Sequence, residues 1–442
     1  MPSKRRILLI CLAMIGALST AGHAQTPPVS QPPASAPANA DPLPRAIPED
    51  VGMSTERLAR IDDVLNADIQ HGDLPGAVVA IARRGRLVYF KAFGFRDKAA
   101  GTPMTTDTIF NIASMTKPLT TVAALSLQEQ GKLLIDDPVS KYISGFTDMK
   151  VAIQNPGNTA IIGRVAANRA ITIRDLLTHT SGLIYGGRGA TAVHKFYPAG
   201  SGDAAEALTG SEFLAKLSAA PLLYQPGTVW DYGFGLDITG LIVEALTKES
   251  LGADLDAQVF KPLGMSDTGF LIPPDKVARY AHALPNDPAT GLPQTVGSDA
   301  TKPTKFECGG GCAVSTAGDY LRFASMLLNR GEFDGKRILS RKTVEYMTAD
   351  QLGPNVRNLI GNADPTRVDY SFGLGLAVRT TPGIVHSLGS VGTFTWPGAS
   401  GTNWWVDPRE HLAVVFMAHT PGPARWHYRE LIDALVYQAI DD

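Results

Sequence analysis

The sequence predicts an α/β (α+β) fold in which antiparallel strands are flanked by helices. Two apolar runs, 77–82 and 87–94, are separated by a short turn, and this pattern indicates a β-hairpin. Helical patterns lie on either side of the hairpin, over about residues 49–70 and about residues 115–130. The chain has 442 residues, of which 44 % are hydrophobic and 19 % are charged. These values are ordinary for a globular enzyme with a large core.

The first 48 residues are predicted to lie outside the folded domain. Residues 1–24 combine a basic start, Lys4-Arg5-Arg6, with an apolar run and a small-residue cleavage site that ends at Ala24. This is the pattern of a secretory signal peptide, and a retained N-terminal anchor is the alternative. Residues 25–48 are rich in Pro, Ala, Ser and Gln and predict a disordered linker. We therefore expect a periplasmic or secreted protein.

Charge, hydropathy and cysteine content narrow the classes of partner. The formal net charge is −2, so we expect no nucleic-acid partner. After signal cleavage, no remaining stretch is long and apolar enough to span a membrane, and no pattern bears on the oligomeric state. The cysteines that remain are Cys308 and Cys312, in a Cys-Gly-Gly-Gly-Cys stretch. Two cysteines without a neighbouring His fall short of a zinc site. A disulfide and two free thiols both stay open in an oxidising compartment.

The first chemical signal is Ser114-x-x-Lys117. It lies between a strand-like approach, residues 108–110, and the helix predicted from about residue 115. Residues three apart at the start of a helix lie on one face. A serine hydroxyl needs a nearby base, and a lysine acts as a base only when burial or positive charge lowers its pKa. The helix N-terminus favours an anion at the serine. The pair is therefore a sensible nucleophile and base, and the alternative is a helix cap with a solvated lysine.

With its flanks, this motif resembles that of the serine β-lactamase and penicillin-binding-protein superfamily. The likeness is closest to class C β-lactamases and the β-lactamase-like esterases (family VIII carboxylesterases), and it covers the chain from about residue 49 onward. It implies a β-lactamase/DD-peptidase-like fold, an antiparallel sheet flanked by helices plus an inserted, mostly helical domain. The α/β part would comprise roughly residues 49–114 and 301–442, and the helical part roughly residues 115–300. His179 lies in a stretch typical of the superfamily, and we assign it, like His386, a structural role.

The second chemical signal is Tyr232, in the stretch Pro226–Phe234. By resemblance, a tyrosine at this place lies beside the nucleophile. A phenol beside an ammonium group loses its proton more easily, so Tyr232 can take the Ser114 proton and return it to the leaving group. The alternative is a core tyrosine. Phe234 stands where lactamases and peptidases commonly carry Asn, and we assign it to the binding of an ester substrate.

The third chemical signal is Trp396-Pro397-Gly398. Lactamases and penicillin-binding proteins hold Lys-Thr-Gly at this place, and the lysine helps to bind a substrate carboxylate. The esterase-like branch often has Trp-Gly-Gly, so we assign Trp396 and Gly398 to the binding of an uncharged substrate. By resemblance, the oxyanion donors are the backbone N–H groups of Ser114 and Ala399. Removing one such donor typically costs roughly 10²–10³ in rate.

The residues together predict a serine hydrolase that cleaves carboxylic esters through an acyl-enzyme on Ser114, with Lys117 and Tyr232 as general base and acid. No G-x-S-x-G, H-E-x-x-H or strand-linked G-x-G-x-x-G motif occurs, and we expect no metal or other cofactor. One alternative is a β-lactamase or a D-Ala-D-Ala carboxypeptidase or transpeptidase, whose substrate would be a β-lactam or a peptide. Acyl transfer to an acceptor other than water is a further variant. A non-catalytic envelope binding protein of the same fold is the alternative from a different class.

Overall fold

A single antiparallel sheet, built from both ends of the chain, organises the fold. The computed structural model describes residues 41–294, 298–385 and 387–442. The predicted signal peptide, the linker as far as residue 40, and His386 lie outside the described residues.

The secondary-structure elements are numbered in chain order. The strands are β1 Gly76–Arg83, β2 Arg86–Asp97, β3 Thr102–Pro103, β4 Phe110–Asn111, β5 Lys150–Gln154, β6 Ile161–Ala166, β7 Val229–Trp230, β8 Val314–Ser315, β9 Glu332–Phe333, β10 Lys336–Arg337, β11 Arg357–Asn358, β12 Tyr370–Phe372, β13 Ala377–Arg379, β14 Phe394–Thr395, β15 Asn403–Asp407 and β16 Leu412–Ala418. The α-helices are α1 Thr55–His71, α2 Thr116–Glu129, α3 Ile173–Leu177, α4 Ser201–Ala207, α5 Gly210–Ala219, α6 Gly235–Thr247, α7 Leu251–Leu255, α8 Lys261–Leu263, α9 Ala317–Leu328, α10 Arg341–Met347, α11 Ile360–Ala363 and α12 Ala424–Tyr437. Short 3₁₀ turns lie at Pro48–Val51, Ala113–Met115, Val139–Lys141, Ser144–Phe146, Gly186–Arg188, His194–Phe196, Pro274–Arg279 and Pro365–Arg367, and a π turn lies at Asp256–Phe260.

Within the described residues, the central sheet has eight strands in the order β12-β13-β14-β15-β16-β1-β2-β3. Each neighbouring pair is antiparallel. The predicted hairpin is confirmed as β1 and β2. Strand β1 also pairs with β16, where Val79 lies opposite Phe416. The N-terminal and C-terminal parts of the chain therefore meet in the middle of the sheet, and the predicted antiparallel sheet flanked by helices is confirmed.

Helices cover both faces of the sheet, which is why β1 is apolar from Gly76 to Ala82 and only its last residue, Arg83, is charged. On one face, the buried residues Leu58 and Ile61 of α1, together with residues of α12, pack against Val79. On the other face, α9 and the inserted helices pack against Val78 and Ala80. Successive side chains of a strand point to opposite faces, so every residue of β1 finds an apolar neighbour.

The first helix begins later than the sequence predicted. Pro48–Val51 form a 3₁₀ turn, and Gly52 then adopts a left-handed conformation with φ 75° that ends it. The side chain of Ser54 accepts the N–H of Arg57 and caps α1, a role in which Ser is strongly preferred.

The folded part begins before residue 49. Leu43 is buried. The N–H of Ala46 donates to the carbonyl of Leu87 at 3.1 Å, and the N–H of Leu87 donates to the carbonyl of Pro44 at 2.9 Å. The linker prediction was therefore wrong for residues 41–48, because these residues add backbone pairing beside β2.

The region between β4 and β8 is mostly helical and contains α2 to α8. It also contains the hairpin β5–β6, which the sequence analysis did not identify. Residues 184–210, a stretch without a clear sequence period, include two 3₁₀ turns and α4. None of the helices in the described ranges is long and apolar enough to cross a membrane.

Candidate active site

Ser114 lies in the 3₁₀ turn Ala113–Met115, between β4 and α2. Ala113 has a φ of 42°, a left-handed conformation that is uncommon for a residue other than Gly. The side-chain oxygen of Asn111 accepts the N–H of Ala113 at 2.8 Å and supports this turn. Local strain of this kind clusters at functional sites, and here it immediately precedes the serine.

Lys117 and Tyr232 converge on the Ser114 oxygen. The Tyr232 hydroxyl donates to Ser114 Oγ at 2.6 Å, and Lys117 Nζ lies 3.4 Å from the same oxygen. Lys117 is fully buried, with Nζ 4.4 Å from the centre of the Tyr232 ring. Its ammonium group also donates to the carbonyl of Gly310 at 2.5 Å. The three predicted catalytic residues thus have the contacts that an activated nucleophile needs.

Two further side chains hold Tyr232. The indole Nε1 of Trp396 donates to the Tyr232 hydroxyl oxygen at 2.9 Å, and a donor at this oxygen stabilises its anionic form. The His179 ring meets the Tyr232 ring edge-on, with centroids 4.8 Å apart, and His179 Nδ1 accepts the N–H of Gly233 at 3.4 Å. Burial and the charge of Lys117 hold the pKa of His179 well below its usual range. His179 is therefore held in its neutral form and packs against the Tyr232 ring.

A buried carboxylate behind Lys117 was not identified from the sequence. Asp237, in α6, accepts the N–H of Gly310 and the hydroxyl of Ser201, each at 2.9 Å. The hydroxyl of Tyr185 lies 3.4 Å from the same carboxylate. Burial raises the pKa of Asp237 above its ordinary value, while the positive charge of Lys117 opposes this shift. The signal in the sequence was a lone charged residue in the otherwise uncharged stretch 235–243.

Cys308 and Cys312 form a disulfide, with Cα atoms 5.3 Å apart. This bond closes the loop that carries Gly310, whose carbonyl accepts from Lys117. The carbonyl of Gly309, in the same loop, accepts from the Thr120 hydroxyl at 2.8 Å. The sequence left open a disulfide or two free thiols, and the structure has the disulfide. The loop that contacts Lys117 is therefore covalently closed.

Ser114 and Tyr232 line a cavity of about 420 Å³. The wall consists mainly of small and polar residues, and its charged side chains are Arg188, Asp203 and Glu206. The Arg188 guanidinium lies 5.4 Å from the centre of the Tyr232 ring. All three charged residues come from the segment 184–210, whose lack of a clear period hid their arrangement from sequence analysis.

The structure does not bring the predicted substrate-binding residues to the cavity wall. Phe234 is fully buried and packs edge-on against Tyr185 and Phe213, with ring centroids 4.5 and 5.2 Å away. Trp396 is buried behind Tyr232. Gly398 is buried one residue before the wall. Phe234 and Trp396 therefore support the site from the core, where Phe234 packs against Tyr185 and Trp396 packs behind Tyr232.

Ala399 lines the same cavity as Ser114. Among the described residues, its backbone N–H has no acceptor, so this donor is available for an oxyanion. The preceding N–H, of Gly398, donates to the carbonyl of Thr402 at 2.9 Å and closes a turn. The hydroxyl of Ser400 donates to the carbonyl of Asn111. The two segments that carry the predicted oxyanion donors are thus bonded to each other.

A serine whose oxygen contacts a buried lysine and a tyrosine, beside a free backbone donor, defines a serine hydrolase. The beta-lactamase family model matches residues 61–438, and the chain belongs to this family.

Relatives and solved structures agree with this assignment. An uncharacterized protein of Mycobacterium tuberculosis is 38% identical over 358 residues, which are 79% of this chain and 87% of the relative. Esterase EstB of Burkholderia gladioli is 31% identical over 378 residues, which are 82% of this chain and 90% of the relative. The structure of EstCE1, a hydrolase with promiscuous acyltransferase activity, is similar with a TM-score of 0.71 and 29% identity. That likeness covers 86% of this chain and 99% of EstCE1.

Proposed function

We propose that this protein hydrolyses carboxylic esters through an acyl-enzyme on Ser114. The observation that carries the proposal is the contact of one serine oxygen with both Tyr232 (2.6 Å) and Lys117 (3.4 Å). The similarity to esterase EstB and to the hydrolase EstCE1 supports an ester as the substrate.

In this mechanism, the Ser114 proton passes to the pair formed by Lys117 and Tyr232, which both contact Ser114 Oγ. Ser114 Oγ attacks the ester carbonyl, and the backbone N–H groups of Ser114 and Ala399 hold the resulting oxyanion. The pair then returns the proton to the departing alcohol. Water then attacks the carbonyl of the acyl-enzyme and gives a proton to the same pair. The carboxylic acid leaves as that proton returns to Ser114.

The second candidate is hydrolysis of a β-lactam or a D-Ala-D-Ala peptide. The observation that favours it is Arg188, a cation in the cavity wall that can pair with a substrate carboxylate. Against it, Trp396 occupies the place at which lactamases hold a lysine, and its indole contacts Tyr232.

The deciding experiment measures hydrolysis of p-nitrophenyl acetate, butyrate and octanoate beside nitrocefin, for wild type and Ser114→Ala. We expect fast ester turnover, slow nitrocefin turnover, and loss of both by at least about 10³ in the variant. Efficient nitrocefin turnover would favour the second candidate. Ester turnover that survives Ser114→Ala would refute the mechanism. Labelling of Ser114 by a fluorophosphonate separates an enzyme from a non-catalytic binding protein.

We also propose that the protein is exported and loses residues 1–24. The Cys308–Cys312 disulfide supports an oxidising compartment. Mass spectrometry of the protein from the periplasm and culture medium should detect a chain that begins at Gln25. A full-length chain confined to the cytosol would refute export.

A further inference from the structure

A group of buried charged residues lies behind the turn that contains Ala399. Arg429, in α12, is only 4% exposed, and its Nη1 donates to the carboxylate of Asp364 at 2.9 Å. Arg367 is 1% exposed, and its Nη1 lies 3.9 Å from the carboxylate of Asp433. Buried ion pairs are costly to desolvate and often add little to stability. Their presence here therefore calls for a role beyond holding the fold together.

The second terminal nitrogen of Arg429 makes the informative contact. Its Nη2 donates to the carbonyl oxygen of Gly398 at 2.7 Å. This carbonyl belongs to the same peptide unit as the N–H of Ala399. The described peptide bonds are all trans, and the C=O and N–H of a planar trans peptide point in opposite directions. By fixing the oxygen, Arg429 directs the Ala399 N–H away from itself.

A guanidinium bonded to the Gly398 carbonyl also changes the donor strength of the Ala399 N–H. Hydrogen bonds to a charged donor are stronger than neutral ones, and linked hydrogen bonds strengthen one another by about 10–30% per bond. The Ala399 N–H should therefore be a stronger donor than an unassisted amide. An oxyanion donor works best when its orientation is fixed before the reaction begins. Arg429 supplies both the orientation and the polarisation from outside the cavity.

We infer that Arg429 is a positioning residue for the oxyanion donor at Ala399. The inference rests on the proposed function. Arg429 acts through the Gly398–Ala399 peptide and does not line the cavity. It should therefore matter to the tetrahedral intermediate and not to the binding of the ester.

Arg367 provides a matched control. It is as deeply buried as Arg429 and belongs to the same charged group. Its Nη1 donates instead to the carbonyl of Thr366 at 3.1 Å, and its guanidinium has no contact with Gly398 among the described residues. Loss of Arg367 should reduce stability without altering the oxyanion donor.

The experiment compares Arg429→Met and Arg429→Lys with Arg367→Met in the full chain. For each protein, kcat and KM are measured with p-nitrophenyl butyrate, Ki with phenylboronic acid, and Tm by calorimetry. Phenylboronic acid forms a tetrahedral adduct on serine and so reports the oxyanion site. We expect Arg429→Met to lower kcat by about 10–50-fold, less than the loss of a whole donor. KM should stay within about twofold, and affinity for the boronate should fall in parallel with kcat. Arg429→Lys should recover part of kcat.

The double variant Arg429→Met/Asp364→Asn removes the pair together and guards against misfolding caused by an unpaired carboxylate. It should show the same loss of kcat as Arg429→Met. Equal losses of kcat in Arg429→Met and Arg367→Met would overturn the inference, as would a loss that appears only in KM. A wild type without Ser114-dependent ester turnover would overturn the proposed function itself. The two failures are therefore distinguishable.

Discussion

Side-chain groups contact Ser114 on one side, and a backbone group is available to the substrate on the other. On the side of the helical part, side chains reach the serine oxygen, namely Lys117 and Tyr232. On the side of the sheet, the available group is the backbone N–H of Ala399, in a turn that Gly398 closes. Chemistry on the first side depends on which side chains are present. On the second side it depends on the position of a peptide, which residues outside the cavity determine.

Substitutions on the two sides should therefore behave differently. On the side-chain side, deleting one functional group removes a chemical step while the cavity keeps its shape. On the backbone side, no deletion of a side chain removes the donor, and it is weakened only by a shift of the chain or by the loss of a group that orients and polarises its peptide. Variants of each kind can test whether this division holds.

The largest effect is expected for Tyr232→Phe. It removes the hydroxyl that donates to Ser114 Oγ and leaves the ring in place. Loss of a positioned acid–base group typically costs 10²–10⁴ in rate, so kcat for p-nitrophenyl butyrate should fall by about that factor, with KM little changed. Tyr197→Phe is the control, because among the described residues its buried hydroxyl donates only to the carbonyl of Pro221. A small loss in Tyr232→Phe would mean that Lys117 alone handles the proton.

The next largest effect is expected for Gly398→Ala, on the backbone side. An added Cβ would lie 2.5 Å from the carbonyl oxygen of Ile112, far inside normal contact, so the turn must move. Displacing the Ala399 donor should lower kcat by about 10²-fold. The strained turn should also lower Tm. Gly353→Ala is the control, since a Cβ there meets nothing within 4 Å. Full activity in Gly398→Ala would show that the donor tolerates displacement.

A smaller effect is expected when the disulfide is opened in Cys308→Ser/Cys312→Ser. Closing so short a loop stabilises by about 2 kcal/mol in the chain-entropy treatment. The loop also carries the Gly310 carbonyl that accepts from Lys117. We expect kcat to fall by about tenfold and Tm by about 2 °C, because the unfolding entropy of a chain of this length is large. Wild type treated with dithiothreitol should approach the variant, which should itself be unaffected by the reagent. An unchanged kcat would show that the disulfide is not needed to hold Lys117 in position.

The same division explains what could be predicted from the sequence. Ser114, Lys117 and Tyr232 were identified because side-chain chemistry at characteristic spacings is visible in a one-dimensional pattern. The β1–β2 hairpin was identified because its apolar runs and turn are local. Asp237 was missed, although its charge in an apolar helix was a readable signal.

Other features were inaccessible because they depend on long-range packing. Nothing local to Arg429 indicates that it meets the carbonyl of Gly398, since α12 and that turn are far apart in the chain. The substrate-binding roles assigned to Phe234 and Trp396 were carried over by resemblance, from positions that hold Asn and Lys in lactamases. Both rings instead turn into the core, where Phe234 packs against Tyr185 and Trp396 against Tyr232.

The smallest effect on catalysis is expected for Asp433→Asn, in the group of buried charged residues behind the turn that contains Ala399. Its effect on stability should be clear. Burial raises the pKa of Asp433 to about 7, although Arg367 opposes the shift; Asp364 and Glu430 add to it, and Arg379 opposes it. A carboxyl whose pKa is raised in the folded state stabilises the fold fully only below its unfolded pKa, near 3.9. This contribution is lost as the pH rises towards about 7.

The test measures Tm by calorimetry from pH 4 to pH 8 for wild type and Asp433→Asn, and takes the wild-type value minus the variant value at each pH. Asn mimics the protonated carboxyl, so the difference should become more negative from pH 4 to about pH 7 and then level off. A shift of this size corresponds to a few kcal/mol, which is several degrees in Tm. The exposed Asp63→Asn controls for the loss of any carboxylate. Because the Asp433 side chain forms no hydrogen bond or ion pair with Gly398 or Arg429 among the described residues, kcat should stay within about twofold. A difference in Tm that does not change with pH would show that Asp433 is ionised in the fold, and a large loss of kcat would extend the positioning role of Arg429 to the whole charged group.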